Sequence, residues 1–235
     1  MRRLLLALLL LAWTAPAVRA DDVVYLPSDI GAARFQSSPI QPSSLALLAY
    51  TESEERQTFC GPASLAAALN SLGIRNPTPA PLFPYHLITQ DSVFTKENEG
   101  VKSYSAVEHE GMTLDELAKF AANLGTSTEV IHAQDMAIDA LRAKLRDALD
   151  ASGKRVLANY SRKPLGQVGD GHISPLAAYD AQTDSFLILD VAKYKYPPAW
   201  VSFKKLYEGM LLVDSSSGLS RGVVILSASG VRSPQ

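Results

Sequence analysis

Apolar positions recur at helical spacing in three segments of the first two-thirds of the chain. In QTFCGPASLAAALNSLGI, residues 57–74, Leu65, Leu69 and Leu72 recur at intervals of four and three, the period of one helix face. Pro62 suits a first helical turn, where a missing N–H costs nothing, and Gly73 follows the last apolar position as a C-terminal cap. The pattern predicts a helix of about three turns that begins at Cys60. In TLDELAKFAANL, residues 113–124, Thr113 and Glu116 have the spacing of a capping box. Leu114, Leu117, Ala121 and Leu124 form the stripe, and Gly125 ends it. A third helix, capped by Asp135, carries Leu141, Leu145 and Leu149 at four-residue spacing and ends near Gly153.

Further along, the pattern changes to strands. RVLANY (155–160), HISPLAAY (172–179), SFLILDV (185–191) and GVVILS (222–227) are short and rich in apolar and β-branched residues, as strands are. A short strand at 129–133 precedes them, and DAQTDS turns the second of the four into the third as a hairpin. Residues 76–111 lack a period, and four prolines from Pro77 to Pro84 mark a loop. Helices first and strands afterwards make an α+β fold, a helical lobe followed by an antiparallel β lobe. Residues 21–45 hold Pro27, Pro39, Pro42, Gly31 and several serines and read as an extended N-terminal arm. Residues 46–235 read as the domain itself.

The first twenty residues, MRRLLLALLLLAWTAPAVRA, pair Arg2 and Arg3 with an apolar run from Leu4 to Trp13 and a small-residue cleavage zone ending at Ala20. This is a secretory signal pattern. A membrane anchor is the alternative, but spanning a bilayer takes ~20 apolar residues. The expected location is therefore periplasmic or extracellular, with no stable membrane insertion after cleavage. Cleavage removes three arginines and no acid, leaving 19 basic against 24 acidic side chains and a net charge of −5. With no basic cluster, nucleic acid is not an expected partner.

Cys60 is the single cysteine, so no internal disulfide forms. A thiol at a helix N-terminus is favoured as thiolate by the exposed N–H groups and the macrodipole; a buried structural cysteine is the alternative. A nucleophilic thiol needs an imidazole partner. His86 lies in the proline-rich loop, His109 between two acids, and His132 near a strand end. His172 opens an apolar strand after GDGH. Asp190 closes the run FLILD, where an unpaired carboxylate would be costly. A hairpin around DAQTDS sets position 172 opposite about 191, so His172 and Asp190 meet at its open end, as the second and third members of a catalytic triad. Asp190 as a mere strand cap is the alternative. The chain has no HExxH, CxxC, G-x-S-x-G, P-loop or dinucleotide fingerprint, so no metal ligands are assigned.

Three stretches give this constellation a relative: FCGPASLAAALNSLGI (59–74), GQVGDGHISPLAAYDAQTDSFLILDVAKYKYPPAWV (166–201) and RGVVILS (221–227). Together they resemble the phytochelatin synthase family over roughly residues 45–228. The resemblance implies a papain-like fold with Cys60, His172 and Asp190 as the catalytic residues. It implies that glutathione is cleaved before its glycine through a γ-Glu-Cys acyl-enzyme. Water resolves this to γ-Glu-Cys, as predominates in short bacterial members, or a second glutathione extends it into phytochelatin. No cofactor is implied for the chemistry; a heavy metal ion, Cd or Zn, enters as a metal–glutathione thiolate complex on the substrate side. A homodimer is one admissible assembly. The family usually has Gln six residues before the nucleophile as an oxyanion-hole donor, where this chain has Glu54. A carboxylate there repels an oxyanion, so the hole falls to Gln57 or to a protonated Glu54. Asn159 and Arg221 are substrate-binding candidates by the same resemblance. Tyr194, Tyr196 and Trp200 read as packing. Glu54 also motivates the alternative of a catalytically impaired relative that binds metal–glutathione thiolates.

Overall fold

A computed structural model describes residues 21–76 and 82–228; the signal pattern at 1–20 and the prolines at 77, 79 and 81 lie outside the described residues. The chain opens with strand β1 (Val23–Tyr25) and helices α1 (Asp29–Ser37) and α2 (Pro42–Tyr50), where an extended arm was expected. The misleading residues are helix starts. Ser28 caps α1 by accepting from the Gly31 amide, and Pro42 occupies the first turn of α2. The segment also belongs to the core. β1 pairs with a later strand, Trp200 donates to the Gly31 carbonyl, and buried Arg34 faces Asp180 at 3.6 Å. At Gly31 a side chain would lie 2.1 Å from the Tyr25 carbonyl oxygen, so only glycine fits. Residues 23–50 are therefore packed into the sheet and core and do not form an extended arm.

Helix α3 (Cys60–Ser71) is as expected, and two short helices, α4 (Lys96–Glu99) and α5 (Tyr104–Glu110), interrupt the long loop. Helix α6 (Leu114–Asn123) starts with both bonds of the Thr113–Glu116 capping box. Strand β2 (Thr126–His132) follows, and then α7 (Ile138–Asp150). Asp135 does not cap α7; it ends a 3₁₀ turn, and Ala137 takes the cap position without a side-chain bond. Strands β3 (Lys154–Ser161), β4 (Gly171–Asp180), β5 (Ser185–Ile188) and β6 (Ala199–Ser202) precede α8 (Phe203–Leu211) and β7 (Gly222–Ala228). The sequence reading passed over α8 and β6, which run into one another with no glycine or proline between them.

The seven strands form one antiparallel sheet in the order β1-β6-β5-β4-β3-β7-β2. Alternate residues serve opposite faces. Leu157, Ile173, Val224 and Leu226 pack with α3 and α6; Val156, Tyr160, Val223 and Ile225 pack with α7 and α8. On the α3 side, Leu187 and Trp200 continue the layer beneath α2. The helical lobe is thus split across the sheet, because the intervening strand β2 joins the sheet edge and sends α7 to the far face. The β4–β5 hairpin pairs Asp180 with Ser185 and, beyond a bulge, Leu176 with Ile188, one to two residues from the expected register. No helix among the described residues is long and apolar enough to cross a membrane.

Candidate active site

Helix α3 packs against the sheet, and Ser64 Oγ, one turn after Cys60, donates to the Ile173 carbonyl of β4 at 3.0 Å. This bond sets Cys60, the first residue of α3, beside His172, the residue before Ile173. Gly61 lets Met112 close over the turn, since a Cβ there would lie 2.9 Å from the methionine sulfur. No side chain caps the helix at Phe59, so first-turn N–H groups stay available to an anion.

His172 is buried, and its Nε2 lies 2.8 Å from Asp190 Oδ1 and 2.9 Å from Ser174 Oγ. With Nε2 so engaged, Nδ1 is the nitrogen left to exchange a proton. Asp190 is also gripped by Arg162 through both oxygens, at 2.7 and 2.9 Å, and accepts from the Ala192 amide. Arg162 in turn donates to Gln167 and lies over the Tyr196 ring at 5.1 Å. Burial opposes ionisation of Asp190, but His172 and Arg162 outweigh it and hold the carboxyl far below the usual carboxylate range. Burial pulls His172 below its ordinary value despite Asp190.

Glu54 lies in the loop before α3, tied by its amide to the Val191 carbonyl at 2.8 Å. Its side chain is 6% exposed. Oε1 accepts from the Tyr194 hydroxyl, and Oε2 is buried without a partner. Burial raises its pKa, against the Tyr194 bond. A carboxylate oxygen of Glu54, the Cys60 sulfur and a ring nitrogen of His172 all lie within 4.8 Å of one another. Burial first, and then the Glu54 carboxyl, push the Cys60 thiol up to about 12. The backbone at Ile173 and Gly61, and Arg162, favour the anion but are outweighed. Both shifts favour the neutral forms, thiol and imidazole. The helix N-terminus alone predicts the opposite sign.

Cys60 and His172 line a cavity of about 260 Å³ together with Gln57, Asn159, Asp170 and Arg221. Gln57 is exposed and Asn159 buried. Arg221 is 6% exposed; its Nη1 donates to the Leu212 and Val213 carbonyls, and its Nε is buried without a partner. Gly171 makes room for it, since a Cβ there would lie 3.0 Å from Arg221 Nη2. The other histidines lie elsewhere, on the carbonyls of Asn76, Ser105 and Ser220. Of the aromatic trio, Trp200 is fully buried packing. Tyr194 is instead half exposed and bonded to Glu54, and Tyr196 Oη accepts from the Val168 amide. Arg162 and Ser174 were not anticipated; each sits in a segment whose local pattern says nothing of a buried acid nearby.

A family model described as phytochelatin synthase matches residues 18–223. The chain belongs to the phytochelatin synthase family. Its α+β architecture agrees with the papain-like fold that membership implies. Relatives include glutathione gamma-glutamylcysteinyltransferase 1 of Lotus japonicus, 33% identical over 181 residues, 77% of this chain and 35% of that protein. Glutathione gamma-glutamylcysteinyltransferase of Schizosaccharomyces pombe is 34% identical over 183 residues, 78% of this chain and 42% of that protein. Glutathione gamma-glutamylcysteinyltransferase 2 of Arabidopsis thaliana is 32% identical over 181 residues, 77% and 39% of the two chains. The match thus spans well under half the length of these relatives.

Proposed function

We propose that this chain is a glutathione γ-glutamylcysteinyltransferase that acts mainly as a hydrolase, releasing glycine through a γ-Glu-Cys thioester on Cys60. The observation that carries the reading is the buried series Cys60, His172, Asp190, Arg162, whose first two members line one cavity. In this reading His172 Nδ1 takes the thiol proton as the sulfur attacks the carbonyl carbon between cysteine and glycine. The C–N bond then breaks, the same proton passes to the departing glycine amine, and the thioester remains. Water attacks next, losing a proton to His172; the C–S bond breaks, and the proton returns to Cys60. A second glutathione replaces water, through its amine, when the chain is extended.

Asp190 holds the imidazolium that forms in each half-reaction, and Arg162 keeps Asp190 ionised. The unpartnered Nε of Arg221 is a donor for a substrate carboxylate. The Cys60 amide and Gln57 are the oxyanion donors, and Glu54 joins them only as the carboxylic acid, the form its burial favours. A Cd or Zn thiolate complex of glutathione enters, in this reading, as substrate. Export to the periplasm or beyond is part of the proposal and rests on residues 1–20. A second reading, favoured by the Glu54 carboxyl beside the thiol, is an impaired relative that binds such complexes without turnover.

Mass spectrometry of the mature chain incubated with glutathione, with and without Cd²⁺, separates the two. A γ-Glu-Cys adduct on Cys60 with free glycine supports the enzyme, and the ratio of dipeptide to polymer gives the hydrolase share. No adduct and no glycine overturns it in favour of the binding protein.

A further inference from the structure

Cys60, Glu54 and His172 come from a helix start, a loop and a strand, so no spacing in the sequence announces them as a set. Folding brings a sulfur, a carboxylate oxygen and an imidazole nitrogen within 4.8 Å of one another. The three residues are 9%, 6% and 5% exposed. Each potential ligand is supported from behind. Asp190 bonds His172 Nε2, which leaves the Nδ1 lone pair available, the arrangement by which carboxylates orient metal-binding histidines. Tyr194 holds Glu54 Oε1, and Oε2 has no partner. A buried carboxylate oxygen without a partner is costly, and it belongs to one of the three clustered residues.

We propose that Cys60 Sγ, His172 Nδ1 and a Glu54 carboxylate oxygen form a binding site for one thiophilic divalent cation of the zinc class. The donor set is one soft sulfur, one imidazole and one oxygen, which selects zinc-like ions over calcium or magnesium. Three protein ligands with a fourth position open toward solvent is a common zinc arrangement, and Cys60 and His172 both border the cavity. A tetrahedral centre needs its ligand atoms roughly 3.4–3.6 Å apart, so the cluster closes by about 1 Å or slightly more. Charge also balances. Binding releases the thiol proton, and the proton of Glu54 where it is held, to solvent. Thiolate and carboxylate then neutralise the dication in a place where burial penalises net charge. Asp190 and Arg162 already neutralise each other. With an amide in place of Glu54 the same site would carry a net positive charge. Metal loading occupies the nucleophile and the base, so it excludes acyl transfer; this consequence, unlike the binding, rests on the proposed function.

The test uses the mature chain, stripped with chelator and titrated with Co²⁺ in the absence of glutathione. One equivalent is expected to give the visible bands of tetrahedral cobalt and a thiolate charge-transfer band, both bleached by Zn²⁺. C60S should lose the charge-transfer band. E54Q should weaken binding by about 10- to 100-fold or more, and Tyr194→Phe, which keeps all three ligands, by about tenfold. Zn²⁺ should also protect Cys60 from iodoacetamide. Circular dichroism and melting checks establish that each variant is folded. No thiolate band at one equivalent overturns the site, as does unchanged affinity in folded E54Q; if E54Q does not fold, unchanged affinity in Y194F does so. Glycine release in chelator is read separately. Its absence with cobalt binding intact sinks the proposed activity and leaves the site standing.

Discussion

Replacing Glu54 by Gln tests the electrostatics of the candidate site directly, because the side chain keeps its shape and its Tyr194 bond while losing the ability to ionise. A carboxylate oxygen lies no more than 4.8 Å from the set that includes the Cys60 sulfur. Two unit charges at that distance, at an effective dielectric constant of about 20, repel by roughly 3.5 kcal/mol. Burial raises the Glu54 pKa and so disfavours its charged form, which discounts this figure. An expected fall of about 2 in the thiol pKa follows, from the starting value of about 12. The thiolate fraction at neutral pH then rises about 100-fold, and the lower intrinsic nucleophilicity of a less basic thiolate takes back roughly a factor of ten. The expected outcome is iodoacetamide alkylation of Cys60 about tenfold faster at fixed neutral pH, measured by mass spectrometry against wild type. Glycine release from glutathione should rise by at least as much, since the amide also brings an oxyanion donor. Slower or unchanged alkylation in a folded variant would refute the assignment of Glu54 as a group that, with burial, favours the protonated thiol. Faster alkylation with a large loss of glycine release would show that the carboxyl itself takes part in the reaction.

Cys60→Ser should abolish both the acyl adduct and glycine release; turnover at the wild-type rate would place the nucleophile elsewhere. Arg162→Leu leaves the buried Asp190 without its cation, and urea unfolding should show a loss of about 3–5 kcal/mol, with a loss below about 1 kcal/mol contradicting the buried pair. Arg221→Lys keeps the charge but not the fork, so KM for glutathione should rise about tenfold with a smaller change in kcat; an effect on kcat alone would argue against a substrate-carboxylate contact. Gly222→Ala would put a methyl 2.0 Å from the Ile131 carbonyl oxygen across the β2–β7 pair. It should cost about 1–3 kcal/mol in a thermal or urea melt, and a neutral result would mean that the sheet edge yields easily.

Local order was legible wherever the signal lies within one turn or one strand. The stripe of α3, the capping box of α6 and the apolar runs of β3, β4 and β7 are statements about neighbours in sequence, and folding left them in place. The same locality misread residues 21–45, because a serine that caps a helix and a proline that starts one look like loop residues until the helix is seen. It also placed Cys60, His172 and Asp190 as candidates, since a helix start and a hairpin end are both local features. What the sequence could not carry is the balance of long-range terms around them. The helix N-terminus favours thiolate, yet burial and a carboxyl from a preceding loop push the thiol the other way. His172 and Arg162, 18 and 28 residues from Asp190 in sequence, keep the acid charged against its burial. The grouping of sulfur, imidazole and carboxylate depends on a helix, a strand and a loop meeting at one point. Desolvation and Coulomb energy depend on depth and distance, and only the packed tertiary structure sets both.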